Sequence, residues 1–159
     1  MSYQAVILTV SDSCAAGTRT DTSGPAIRAM LENAGFAVQA IQTVPDKEGQ
    51  ISAAIVHACD ILQADLVVTT GGTGLSPRDV TPEATLAVLD REIRAIPVAM
   101  WVEGLKSTPR AMLSRAVAGT RGHTLVLNVP GSEKAARENL GAVVATLDHA
   151  LRMLAGGGH

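Results

Sequence analysis

Four strand segments, the apolar, β-branched Ala5 to Val10, Leu66 to Thr70 and Thr124 to Val129 and the more polar Ala37 to Val44, are separated by stretches whose apolar residues recur at helical spacing. Strands alternating with helices pair in parallel, because each parallel pair needs a crossover. The pattern therefore predicts an α/β chain, a single three-layer α/β/α domain with a mostly parallel sheet covered on both faces. Thr22 or Ser23 caps a first helix, with Pro25 in its opening turn and Ile27, Met30, Leu31 and Ala34 following until Gly35 stops it. Ile51, Ala54, Ile55 and Ala58 mark a second helix. Thr81-Pro82-Glu83 reads as an N-cap followed by proline at the first position of a helix that runs to about Asp90. Pro97 to Ser107, with Met100 and Trp101, is a further helix. Ser132 caps the last, which runs to about Leu154 with Leu140, Val143, Val144, Leu147, Leu151 and Leu154 on one stripe. The expected domain is residues 1–155, with 156–159 as a flexible glycine tail.

In a sheet of this kind ligands bind in the loops beyond the carboxyl ends of the strands. Four segments empty onto that rim: Ser11-Asp12-Ser13, Pro45-Asp46, Thr69 to Gly74, and Asn128 to Ser132. What they hold is narrowed by composition. The 13 Lys and Arg against 15 Asp and Glu leave a formal charge of -2, so no broad field attracts nucleic acid or an anionic membrane, and phosphate binding must be local. Aromatic residues make up 2% of the 159 residues, too few to stack exposed bases. Cys14 and Cys59 form no disulfide framework and have no zinc-site spacing, which points to a reducing cytoplasm. The N-terminus has no basic lead or cleavage pattern, and no window approaches ~20 apolar residues, so neither export nor a membrane span is expected.

The loop Thr70-Gly71-Gly72-Thr73-Gly74 can turn backbone N–H groups toward an anion. It lacks the lysine and hydroxyl of a P-loop and the spacing of a dinucleotide fingerprint, and a tight turn without ligand explains its glycines equally well. Asp79 follows a few residues later. A carboxylate beside phosphate oxygens is repelled unless a cation stands between them, which suggests Mg²⁺ with Asp46 as a second ligand. The structural alternatives are a helix N-cap for Asp46, and a turn or a pair with Arg78 for Asp79. Pro130-Gly131-Ser132 opens a helix whose N-terminus suits an anion, although capping alone accounts for Ser132. Asp12 reaches a ligand or satisfies turn amides. Lys106, Arg110 and Arg115 form a loose basic group, a solvated face or a contact for a substrate phosphate. The histidines have no metal-ligand spacing, and no G-x-S-x-G elbow occurs.

Together, Leu8-Thr9-Val10-Ser11-Asp12, Val44-Pro45-Asp46, the block Thr70 to Thr85 (TGGTGLSPRDVTPEAT), Asn128-Val129-Pro130-Gly131-Ser132 and the segment Ser107 to Gly119 resemble the MogA/MoaB family of molybdenum cofactor biosynthesis. The likeness spans nearly the whole chain, and its long glycine-to-PEAT block is the specific part. The resemblance implies a three-layer α/β homotrimer that binds the pterin dithiolene molybdopterin. In the MogA branch it implies Mg²⁺-dependent transfer of AMP from ATP to the molybdopterin phosphate, with release of pyrophosphate and a downstream metal-insertion protein as partner. The family's two important aspartates map onto Asp46 and Asp79. Ser11, Asp12, Thr70, Gly71, Gly72, Thr73, Gly74, Pro130, Gly131 and Ser132 are the implied binding residues. The competing expectations are a MoaB-like binder or carrier without catalysis and, more distantly, a nucleotide pyrophosphatase sharing the domain type.

Overall fold

A computed structural model of the chain describes residues 2–157. In chain order the elements are β1 (Gln4–Val10), α1 (Asp12–Ala15), α2 (Ser23–Asn33), β2 (Ala37–Val44), α3 (Glu48–Val56), β3 (Leu66–Thr70), α4 (Thr81–Leu86), β4 (Arg91–Glu92), α5 (Ala95–Leu105), β5 (Ala118–Arg121), β6 (Thr124–Val129) and α6 (Glu133–Leu154). A π-helical turn, His57–Ile61, prolongs α3, and a 3-10 turn, Pro109–Leu113, precedes β5.

The sheet has six strands in the order β2-β1-β3-β6-β5-β4. Pairs β1 with β2, β1 with β3 and β3 with β6 are parallel, whereas β5 with β6 and β4 with β5 are antiparallel. The mostly parallel sheet is as the strand-helix alternation predicts, and the antiparallel edge is an addition. Ala118-Gly119-Thr120-Arg121 has no apolar run, and Arg91-Glu92 is an exposed charged pair that takes the edge place. The prediction of a helix to Asp90 is corrected: α4 ends at Leu86, because Asp90 and Ile93 donate their N–H groups to the Thr120 and Ala118 carbonyls and carry the chain into β4. Thr81 is also not the N-cap. Val80 holds that place, and Thr81 is the first helical residue.

Strand periodicity divides the core. Ala5, Ile7, Leu66, Val68, Leu125, Leu127 and Val129 point to the face covered by α2, α5 and α6, where Ile27, Leu31, Met100, Leu140, Val143, Leu147 and Leu151 are buried. Val6, Leu8, Val10, Val67 and Val126 point to the other face, beneath Ile51, Ala54, Ile55, Cys59 and Ala84. Side chains such as Ile7, Leu66 and Leu127 are fully buried, each contributing roughly 1.5–3 kcal/mol over exposure. The stripe expected on α6 is the one it buries, with Val144 and Leu154 at its margin. At the helix end, Gly156 adopts φ +84° and donates to the Met153 carbonyl, while Gly157 donates to Arg152. Residues 158 and 159 of the expected tail lie outside the described residues.

From β1 the chain crosses to β2 on one side and returns to β3 on the other. The strand order thus reverses between β1 and β3, and their carboxyl ends open the crevice that such a switch creates.

Candidate active site

A cleft of about 680 Å³ occupies this crevice. Of the residues singled out from the sequence, Ser11, Asp46, Thr70 to Gly74, Asp79 and Pro130 to Ser132 line it, and Asp12 does not.

The glycine loop is fixed at its start and free in its middle. Gly71 donates its N–H to the Val129 carbonyl at 3.1 Å, and Thr70 Oγ1 donates to the Pro130 carbonyl at 2.7 Å, tying β3 to the turn before α6. With φ +103°, Gly71 sits where a Cβ would strike the Val10 carbonyl oxygen, so β1 and β3 converge here only because the residue is glycine. Gly72 has φ +69°, and a Cβ on it would strike Thr81 Oγ1 and come within 3.2 Å of Asp46 Oδ1. The N–H groups of Gly72, Thr73 and Gly74 donate to no acceptor among the described residues. The tight-turn explanation accounts for the glycines, and the free amides add a place for an anion. Ser132 is the N-cap of α6, accepting from Ala135 N–H at 3.3 Å, so the turn both caps the 22-residue helix and brings its start beside Gly71.

The carboxylates are held by an exchange between strand ends. Asp12 N–H donates to Asp46 Oδ2 and Asp46 N–H donates to Asp12 Oδ1, both at 2.9 Å. Asp12 Oδ2 takes Nε and Nη2 of Arg78 at 3.0 and 2.6 Å. Both oxygens of Asp12 are therefore occupied, and Arg78 reaches across to Asp12 instead of pairing with Asp79. Asp46 is not a helix cap either, since Lys47 holds the N-cap place of α3. Its Oδ1 accepts no hydrogen bond among the described residues. Burial raises the Asp46 carboxyl above its ordinary value; the Asp12 N–H opposes this, while the charges of Asp12 and Asp79 add to it. The hydrogen bond from Arg78 holds Asp12 below the ordinary carboxylate value, helped by the Asp46 N–H. Asp79 Oδ2 accepts from Ser76 N–H at 3.0 Å, which leaves Oδ1 without a partner among the described residues.

Arg115 has a different place from the loose basic group that the sequence suggests. Its Nε donates to the Gly74 carbonyl at 2.8 Å, Nη2 to the Asp79 carbonyl at 2.8 Å and Nη1 to Glu83 at 2.7 Å. One guanidinium thus closes the loop from Gly74 to Asp79 and pins it to α4. Lys106 pairs with Glu103, and Arg110 alone of that group lines the cleft. Asp21 escaped the sequence reading too. It accepts from Gly24 N–H at 3.0 Å and from Thr9 Oγ1 at 2.8 Å, supplying the side-chain bond that Thr22, in the expected N-cap place of α2, does not make. The signal was its place two residues before Ser23, at the head of a helical pattern.

A cation fits what is here. No group of three or more His, Cys, Asp or Glu side chains converges among the described residues, so a site completed by protein alone is absent from them. Asp46 and Asp79 each keep an unpartnered oxygen at the glycine loop, and the charge of Asp79 bears on Asp46. One or two carboxylates beside substrate phosphates is the donor set Mg²⁺ takes.

A family profile described as "Probable molybdopterin binding domain" matches residues 6–149. The chain is 40% identical over 149 residues to the molybdenum cofactor synthesis protein cinnamon of Drosophila melanogaster, covering 93% of this chain and 25% of that protein. It is 36% identical to a molybdopterin adenylyltransferase of Helicobacter pylori, covering 94% of this chain and 86% of that one. The structure of the molybdopterin biosynthesis enzyme MoaB from Thermus thermophilus superposes with a TM-score of 0.92 at 49% identity, covering 97% of both chains. Against three longer relatives the chain spans between 22% and 49% of their length. The matched residues hold every strand-end loop of the cleft, and the chain belongs to the family of molybdopterin-binding domains of molybdenum cofactor biosynthesis.

Proposed function

We propose that the chain is a molybdopterin adenylyltransferase. A phosphate oxygen of molybdopterin attacks the α-phosphorus of ATP, a new P–O bond forms, and the bond to the β-phosphate breaks to release pyrophosphate. The observation that carries this reading is the meeting of two carboxylates, Asp46 and Asp79, with one loop of free amides beside the start of α6. Two anionic substrates must be brought together, and catalysis here is positioning and charge neutralisation. The N–H groups of Gly72, Thr73 and Gly74 and the α6 terminus bind phosphate oxygens, and the Asp12–Arg78 pair holds Asp46 in place from behind. Mg²⁺, held by Asp46 and Asp79, would offset the charge gathered on the phosphates.

The relatives named adenylyltransferases, of which the chain covers most, support the same activity. The homotrimer implied by the resemblance is likewise proposed, supported by exposed Val98, Val102, Leu105, Met112 and Leu113 on α5 and the turn after it. A cytoplasmic setting and hand-over to a metal-insertion protein complete the proposal. Both cysteines are free, and no described helix is long and apolar enough to cross a membrane.

The test is to incubate the protein with molybdopterin, ATP and Mg²⁺, omit each in turn, and follow adenylylated pterin by chromatography and mass. A product that requires all three supports the activity. Bound pterin without product points to a binder or carrier instead. Asp79→Asn should cut turnover far more than pterin binding; equal losses in both contradict its role at the phosphates.

A further inference from the structure

Among the described residues, two buried side-chain atoms have no hydrogen-bond partner, Thr81 Oγ1 and Trp101 Nε1. Trp101 does not line the cleft, whereas Thr81 stands directly behind its glycine loop. Other buried threonines donate the hydroxyl: Thr9 to Asp21, Thr70 to the Pro130 carbonyl, Thr85 to the Thr81 carbonyl and Thr124 to the Ala64 carbonyl. Thr85 bonds as is usual inside a helix, to the carbonyl a turn earlier; Thr81, the first residue of α4, has no helical turn before it. Burying a hydroxyl without a partner is costly, and native interiors seldom tolerate it.

The surroundings indicate what this hydroxyl serves. Thr81 is fixed by its backbone, since its N–H donates to the Gly72 carbonyl at 3.1 Å and its carbonyl accepts from Thr85 at 2.7 Å. Oγ1 rests against the bare side of Gly72, where a Cβ would collide with it. The nearest atom to that point outside Thr81 is Asp46 Oδ1, at 3.2 Å. A donor without an acceptor and an acceptor without a donor thus border the place of one missing methyl. Asp46 lines the cleft, where water can serve Oδ1, while Thr81 Oγ1 is closed to water and can be satisfied only by a protein oxygen. Cation and phosphates entering the cleft displace water from the carboxylate. An oxygen that ligates a cation keeps a second lone pair, and the hydroxyl behind it is the donor at hand. Asp46 can turn toward it while Oδ2 keeps the Asp12 N–H.

We propose that Thr81 positions Asp46 for the cation, its hydroxyl donating to Oδ1 from behind the glycine loop. This deepens the adenylyltransferase reading and rests on it. Carboxylates that ligate a metal are oriented by such partners, and losing one costs about 10–100-fold in metal affinity. The test uses the intact chain and two binding titrations without molybdopterin, so that no turnover occurs. One follows Mn²⁺·ATP, with Mn²⁺ standing in for Mg²⁺, by water-proton relaxation; the other follows ATP in EDTA by calorimetry. Thr81→Val replaces the hydroxyl by a methyl, and Thr81→Ser keeps the hydroxyl and drops the methyl, so hydrogen bonding follows one group and packing the other. Thr81→Val should bind Mn²⁺·ATP about tenfold more weakly or worse and keep metal-free ATP within about twofold. Thr81→Ser should stay within about threefold of wild type for both, even where its melting temperature in EDTA falls. Equal loss of both ligands in Thr81→Val, or a loss in Thr81→Ser as large as in Thr81→Val, would make the residue structural and overturn the proposal. So would a Thr81→Val that binds Mn²⁺·ATP as the wild type does. A wild type that binds Mn²⁺·ATP no better than metal-free ATP would overturn the cation reading and this proposal together. Failure of adenylyl transfer itself shows separately, in the product assay.

Discussion

Replacing Arg115 with alanine removes a guanidinium that holds the loop from Gly74 to Asp79 at both ends. Three hydrogen bonds go at once: to the Gly74 carbonyl, the Asp79 carbonyl and the Glu83 carboxylate. The side chain is 37% exposed, so the ion pair with Glu83 is screened to about 0–1 kcal/mol. Charged hydrogen bonds contribute about 1.5–3 kcal/mol when buried, which partial exposure reduces here to about 1 kcal/mol for each carbonyl. The sum is about 2–3 kcal/mol, and at roughly 2–4 °C per kcal/mol for a domain of this size the melting temperature should fall by about 4–12 °C. The larger effect is on turnover. Asp79 rides on this loop, and displacing a positioned group by about 1 Å costs on the order of 10²-fold in rate. Adenylyl transfer by Arg115→Ala should therefore lose about 100-fold in kcat while KM for molybdopterin moves only a few-fold. Arg115→Lys, whose ammonium can reach one of the three acceptors at a time, should fall between alanine and wild type. Steady-state kinetics and a thermal melt on the three proteins decide it. If Arg115→Ala keeps kcat within a factor of about three of wild type, the guanidinium does not position Asp79 and the reasoning fails.

Three other perturbations follow from the same geometry. Asp46→Asn retains an acceptor for the Asp12 N–H but removes a desolvated charge that faces Asp12 and Asp79, so it should melt higher than wild type at pH 7 without divalent cation and lose activity; a lower melting point contradicts this. Gly72→Ala places a Cβ on Thr81 Oγ1 at φ +69°, a strain of about 1–2 kcal/mol before the clash is counted, and adding Thr81→Ala should restore part of the lost stability and activity. Failure of that second change to rescue anything would show that the clash is not the cause. Burial pushes the Cys59 thiol from 9.0 to about 11, so native protein at pH 8 should be alkylated at Cys14 alone, and both cysteines only after unfolding. Because the folded value lies above the unfolded one, the contribution of Cys59 to stability is whole below pH 9.0 and is lost as pH rises toward about 11, a fall that Cys59→Ala should lessen.

β1, β3 and β6 and the cleft at their carboxyl ends could be read from the chain because burial on both faces writes continuous apolar runs, and polar or glycine residues end each run, whereas β2, a half-exposed edge strand, was legible from its place between Gly35 and Pro45-Asp46. The edge formed by β4 and β5 left no such mark. Its residues Arg91, Glu92 and Gly119 carry no periodicity, and their pairing depends on where the rest of the sheet ends. Asp46 and Asp79 were legible from their place beyond strands. Arg115 was not, since a lone arginine reads as solvated. What it touches is set by a segment far away in sequence, the loop after β3. Thr81 is a milder case, because its hydroxyl, predicted to cap a helix, lies buried without a partner behind Gly72.

The pairing of β3 with β6 joins residues such as Thr69 and Asn128 that lie 59 positions apart, and it brings the glycine loop against the turn that starts α6. Closing so long a loop must precede any reward from that contact, as it must for β1 with β3, where Ala5 pairs with Leu66; β6 is the later of the two partners of β3 to be synthesised. During synthesis β1, β2 and β3 emerge and can pair while the far edge of β3 still has no neighbour, an exposed apolar edge that invites association with other chains. The glycine loop meets the start of α6 only when β6 fills that edge, so the proposed phosphate site is absent from the nascent chain until then.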